Sequence, residues 1–192
     1  MQSILLMGQV AEYNLHIKPK ADAEHHHYQI RSSLDEAIQY AIYGIRADGK
    51  RHSHQCCISI QALEAVRNRL LKRKSALLIC RDFEELHEIV WECAVSGFAA
   101  LCVYDTALRL GAYLGIRPKC VYLHRGTTKG AAMLGLDVSS EFIRMEKLPK
   151  ELQSMQADDA ENFLCYIYKY GLGVGSFTPR NKCFPIKTKR TC

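Results

Sequence analysis

Four cations, Arg117, Lys119, Arg125 and Lys129, follow a glycine turn and an apolar helix pattern inside one stretch, Val95 to Leu136. Side chains of this type hold phosphate oxygens by point charge and by forked hydrogen bonds. Gly97 sits where one helical pattern stops and the next begins, and Ala100, Val103, Ala107, Leu110 and Leu114 then share one face. Amides just after Gly97, that of Ala99 included, would open this helix and face an anion that the helix dipole favours. Gly115, Arg117 and Pro118 end the helix. A short helix follows, capped by Thr127 or Thr128 and closed by Gly135, and Thr127 joins the phosphate-facing set. The same residues also fit a plain interhelical turn beside a solvated surface. Asp105 and Arg109, four apart, have the spacing of a helical ion pair, either solvated or buried. His124 is read as a backbone support, and Tyr122 as a core ring or a stacking platform.

The elements that must position this stretch are mostly helical. Ser33 and Glu36 have capping-box spacing ahead of Ala37, Ile38, Ala41, Ile42 and Ile45, which predicts a helix ending near Asp48 and Gly49. A second runs from about Ser59 with Ile60, Leu63, Val66 and Leu70 inward and Arg67, Arg69, Lys72, Arg73 and Lys74 outward. A third opens at Asp82 and Glu85 and buries Phe83, Leu86, Val90 and Cys93; its Glu84, Glu85, Glu88 and Glu92 argue against a phosphate-facing role. The last runs from about Asp158 to Tyr170, with Asp158 and Glu161 at capping-box spacing and Gly171 as its stop. Near the start, Ala11, Tyr13, Leu15 and Ile17 alternate with Glu12, Asn14 and His16, a half-buried strand pattern that Tyr28 and Ile30 would pair with. Residues 1–31 are therefore expected as an extension or small β-hairpin, 32–171 as the helical domain, and 172–192 as a basic tail.

Composition bounds the rest. The chain has 192 residues, 48% apolar and 24% charged, and no run of 18 apolar residues that would span a bilayer. The opening MQSILLMG is a short apolar stretch without a basic flank, so no secretory leader is expected and the cytoplasm is the default compartment. Nine cysteines without a framework suit reduced thiols. His25, His26, His27, His52 and His54 with Cys56 and Cys57 are metal-ligand types at non-ligand spacing, and Cys165, Cys183 and Cys192 do not form an iron-sulfur loop. No metal or cofactor is expected. Phosphate-loop, dinucleotide and Gly-x-Ser-x-Gly signatures are missing. A net charge of +6 permits attraction to a polyanion.

A helix, a glycine turn, a second helix, a basic connector and a further helix together resemble the helix-hairpin-helix motif, and more loosely the endonuclease III-like DNA glycosylase superfamily, over roughly residues 83–180. Val95, Ser96, Gly97, Phe98 and Ala99 stand where the family has its Leu-Pro-Gly-Val-Gly hairpin. Val121, Tyr122, Leu123 and His124 stand where it has Val-Asp-Thr-His, so Tyr122 replaces the catalytic Asp, and Leu101 takes the place of the lyase lysine. The resemblance thus implies a fold and nucleic-acid binding rather than chemistry. We expect a mainly α protein, a helix-hairpin-helix-containing helical bundle, that binds nucleic acid as duplex DNA through Gly97, Ala99, Arg117, Lys119, Arg125, Thr127 and Lys129, with no catalytic residue and no membrane. The alternatives are a base-excising enzyme with a displaced acid, Asp105 or Asp137, and a subunit whose same surface meets a partner protein.

Overall fold

The computed structural model describes residues 2–171; the basic tail expected for 172–192 lies outside the described residues. The protein is mainly helical. The amino-terminal strand expectation is overturned, because this region forms α1 (Gln2–His16) and α2 (Lys18–Gln29). Leu6, Gln9 and Tyr13 are buried, whereas Leu15 is 69% exposed, so the inward face follows helical steps and not alternation. Pro19, at the start of α2, has no amide to continue α1. Tyr13 packs edge-on against Phe163 at 5.6 Å, which docks α1 onto the last helix.

Local caps set the next helices. In α3 (Leu34–Tyr43) the Ser33 hydroxyl accepts from the Glu36 amide at 3.3 Å, and the Glu36 carboxylate reaches back to the Ser32 amide at 2.7 Å. The helix stops at Gly44, earlier than Asp48, because the chain turns there to bridge Ile45 with Arg51. After the single turn α4 (Ser53–Cys56), Ser59 caps α5 (Ile60–Lys72), and α6 (Lys74–Ile79) follows. Asp82 caps α7 (Phe83–Glu92) through the Glu85 amide at 2.9 Å. These helices and α8 (Ala100–Leu114) bury one apolar core that includes Ile38, Leu63, Phe83, Val103 and Leu110.

The second core has α9 (Arg125–Met133) and α10 (Ala157–Tyr170) as its frame and takes Tyr13, Val121, Ile143, Phe163 and Leu164. It contains the sheet, which the amino-terminal expectation misplaced. Strand β1 (Cys120–Tyr122) pairs antiparallel with β2 (Phe142–Arg144), with Val121 opposite Ile143, and both of these face inward. Gly130 lets α9 lie directly on α10: a Cβ there would fall 1.9 Å from the Leu164 carbonyl oxygen. No described helix is long and apolar enough to cross a membrane.

Leu110 is fully buried midway along α8. Leu110→Ala should cost about 2–5 kcal/mol through lost transfer energy and the cavity left behind. Urea unfolding checks this, and a loss under about 1 kcal/mol would mean that the α8 face is not packed as described.

Candidate functional site

The start of α8 is built for access. The turn before it closes through the Phe98 amide and the Val95 carbonyl at 2.9 Å, and buried Phe98 anchors it to the core. Gly97 takes φ +87°, a conformation that L side chains rarely adopt, and no atom lies within 4 Å of where its Cβ would be. Ala99 occupies the N-cap position without a side-chain hydrogen bond, and no acid stands in the first turn. By contrast α3, α5 and α7 begin with serine or aspartate caps. The α8 amides thus face outward at the positive end of a long dipole. Arg69, read from sequence only as part of the outer face of α5, reaches this turn and donates to the Ala94 carbonyl at 2.9 Å.

The sequence-predicted cations divide into two kinds. Lys119 and Arg125 are exposed, and Arg125 opens α9. Arg117 lies 3.8 Å from Asp158, and Lys129 donates to the Tyr168 hydroxyl at 3.2 Å while its ammonium stands over that ring. Thr127 departs from its expected role. It is fully buried, and its hydroxyl accepts from the His124 amide at 2.6 Å and donates to the His124 carbonyl at 2.9 Å. Its hydroxyl is spent on closing the first turn of α9, so a ligand would have to open that turn to reach it.

Behind this surface, α8 and α10 enclose a polar seam between the two apolar cores. Arg109 pairs with Asp105 at 3.2 Å, and the two side chains are only 9% and 17% exposed. The guanidinium also donates to the Ala41 carbonyl at 3.2 Å and to Gln55 Oε1 at 3.5 Å. The four-residue spacing fits a solvated or a buried pair, and the structure shows it largely buried. Facing it, α10 presents Asp158, Glu161 and Cys165, which share one stripe at three- and four-residue steps. Asp158 and Glu161 do not form the expected capping box, since Gln156 is the N-cap and both acids fall inside the helix and are buried. Asp159 instead holds α1 and α2, pairing with Lys18 at 2.9 Å and accepting from Tyr13 at 3.4 Å.

Burial pushes the Glu161 carboxyl up to about 8, and the charges of Asp105 and Asp158 add to the rise. Cys165 Sγ lies 3.9 Å from Glu161, and its own thiol is raised to about 12 by burial and by that carboxyl. His124 packs its ring 4.5 Å from Tyr104, is held below the usual histidine range by burial, and has no hydrogen-bond partner for its buried Nε2. Gln55 Nε2 and Asp158 Oδ1 are likewise buried without hydrogen bonds. A neutral carboxyl beside an arginine-paired carboxylate is a proton donor next to a fixed negative charge. Tyr122 is a core ring, 5.4 Å from Phe83 and 5.2 Å from Tyr104.

Sequence reasoning missed Glu161, Asp158, Cys165 and Gln55. The available signal was three acids within four positions of a helix whose other inward residues are apolar. Among the described residues no group of three or more His, Cys, Asp or Glu could hold a metal ion; His52 pairs with Glu24, and His27 Nε2 lies 3.0 Å from the Ile45 carbonyl. Comparison with protein families, curated proteins and solved structures gives no match to this chain.

The raised Glu161 pKa fixes a sign. The folded protein holds this proton where the unfolded chain has lost it, so the contribution to stability is full below about 4.5 and is lost as pH rises to about 8. Glu161→Gln should remove that slope, and its stability relative to the parent should rise from pH 5 to about pH 8 and then level off. Urea midpoints across this range decide it; parallel curves for both proteins would show that Glu161 is not held neutral.

Proposed function

We propose that this protein binds nucleic acid, as duplex DNA, through backbone contacts at the start of α8. One observation carries the reading: an exposed glycine turn of positive φ delivers a 15-residue helix whose first turn has neither a side-chain cap nor an acid. Such an end stabilises a phosphate by amide hydrogen bonds and by the dipole. Arg69 beside the turn supplies a neighbouring cation; Lys119, past the far end of α8, and Arg125, at the start of α9, are exposed and supply two more to a duplex that extends beyond the turn. The pairing of α7 with α8 across the turn supports a helix-hairpin-helix reading of the same geometry. Contacts of this kind position a backbone and read no base edge, so sequence preference is weak.

A second reading is favoured by the seam. Asp105 lies on α8 five residues after its first, about 7.5 Å along the axis. In this reading a base extruded from a strand held at Gly97 has to reach Asp105, 17% exposed and paired with Arg109, with Glu161 behind it. That arrangement fits an excising enzyme in which an acid charge stabilises the developing cation at the sugar. Asp137, the other candidate acid, is bonded to the Ser139 amide at 2.9 Å in an exposed turn and has no such surroundings.

Titration of labelled duplex at several salt concentrations tests the binding. Three neutralised phosphates predict a slope of about −3 in log affinity against log salt, and Arg125→Ala should lessen it by about one. Gly97→Val should weaken binding with helix content preserved. Binding that is absent or insensitive to salt would remove the proposal and leave a partner protein as the ligand of this face. The excision reading is checked with duplexes carrying damaged bases: alkali-sensitive breaks, lost in Asp105→Asn while binding persists, would support it. Intact strands throughout would leave a binder only.

A further inference from the structure

Between them, α6 and α7 border a groove of about 700 Å³ whose apolar lining comes from Ala76, Ile79 and Ile89, with Cys80 beside them. Ile79 is 76% exposed, and Leu78 and Trp91 stand out nearby at 65% and 50%. The α7 wall carries acids. Glu92 pairs with Arg73 at 2.7 Å and Glu85 with Arg81 at 3.1 Å, but Glu84 and Glu88 pair with no cation among the described residues. Those two stand one helical turn apart, where like charges repel and weaken the helix. The groove therefore offers an apolar floor and two uncompensated negative charges, and it suits a segment that alternates apolar groups with cations.

The chain contains such a segment. Beyond Gly171 come Arg180, Lys182, Lys187, Lys189 and Arg190, with no Asp or Glu, and Phe177, Phe184 and Ile186 are interspersed among them. Since the chain's net charge is +6, residues 1–171 are close to neutral and the excess charge lies in this segment. Twenty-one residues can extend about 70 Å, well beyond the width of a domain with a radius of gyration near 16 Å. Attachment to the same chain also raises the segment's local concentration to the millimolar range. We propose that residues 172–192 dock in the α6–α7 groove, with Phe184 or Ile186 on its apolar floor and Lys182 and Lys187 against Glu84 and Glu88.

Zero-length carbodiimide coupling on the full chain at low salt, followed by peptide mapping, tests this directly. The expected result is intramolecular isopeptide bonds from Lys182, Lys187 or Lys189 to Glu84 or Glu88. These bonds should fall at least tenfold at about 0.5 M salt, where the Debye length drops to a few ångströms. Glu84→Lys with Glu88→Lys should abolish them, and Ile79→Ser should reduce them while leaving both carboxylates in place. Equal coupling of the tail lysines to acids on other faces, such as Asp48 and Glu141, would overturn the proposal. So would products formed only between two molecules, or no coupling at all. The wild-type map decides even if the charge-reversal variant fails to fold, and nothing in it depends on nucleic-acid binding.

Discussion

Arg109 carries a guanidinium into the interior with only 8% of the residue left exposed. Removing such a charge from water costs several kcal/mol unless its protons are met by acceptors. Here the acceptors come from four places in the chain: Asp105 on the same helix, Gln55 in α4, the Ala41 carbonyl in α3, and the Tyr28 ring of α2 at 5.7 Å. One side chain thus fixes α2, α3 and α4 around α8. The requirement explains why the Gln55 side chain is buried and why Tyr28 is the fully buried residue of α2. It also accounts for the place of Asp105, which stands at the rim of the seam and is still paired.

From that pairing follows the character of the seam. With Arg109 turned toward Asp105, Glu161 on α10 has no cation of its own and is held neutral by burial. The apolar cores on either side exclude water, and the close crossing at Gly130 holds α9 and α10 together so that His124 and Cys165 stay beside the carboxyls. Both features belong to α8: its first turn has neither a side-chain cap nor an acid, and its middle carries the charge that organises the carboxyl pair.

Some of this was readable in the residues alone. Ser33, Ser59 and Asp82 announce helices because capping is local chemistry, set by one side chain and an amide three residues on. The buried face of α8 was equally plain, since Val103, Ala107 and Leu110 admit only a helical period. Tyr13 and Ile17, four apart, satisfy both strand and helix spacing, and only docking against Phe163 decides between them. The two three-residue strands are too short to show alternation. Asp158 and Glu161 illustrate a deeper limit: their spacing suits a cap or a buried stripe, and the choice depends on whether the helix starts at Ala157 or two residues later. The positive φ of Gly97 matches its reading as a turn, but Thr127 could be seen as an internal cap only once His124 had been placed before it.

The central claim is that nucleic acid lies across the open start of α8. Amide hydrogen exchange of the full chain, with and without a saturating short duplex, addresses it most directly. Unpaired amides at Ala99, Ala100 and Leu101 should exchange fast in the free protein and slow markedly when a phosphate accepts from them, with accompanying protection around Arg125. Unchanged exchange at these amides with the duplex bound, or protection confined to the α6–α7 flank, would contradict the account.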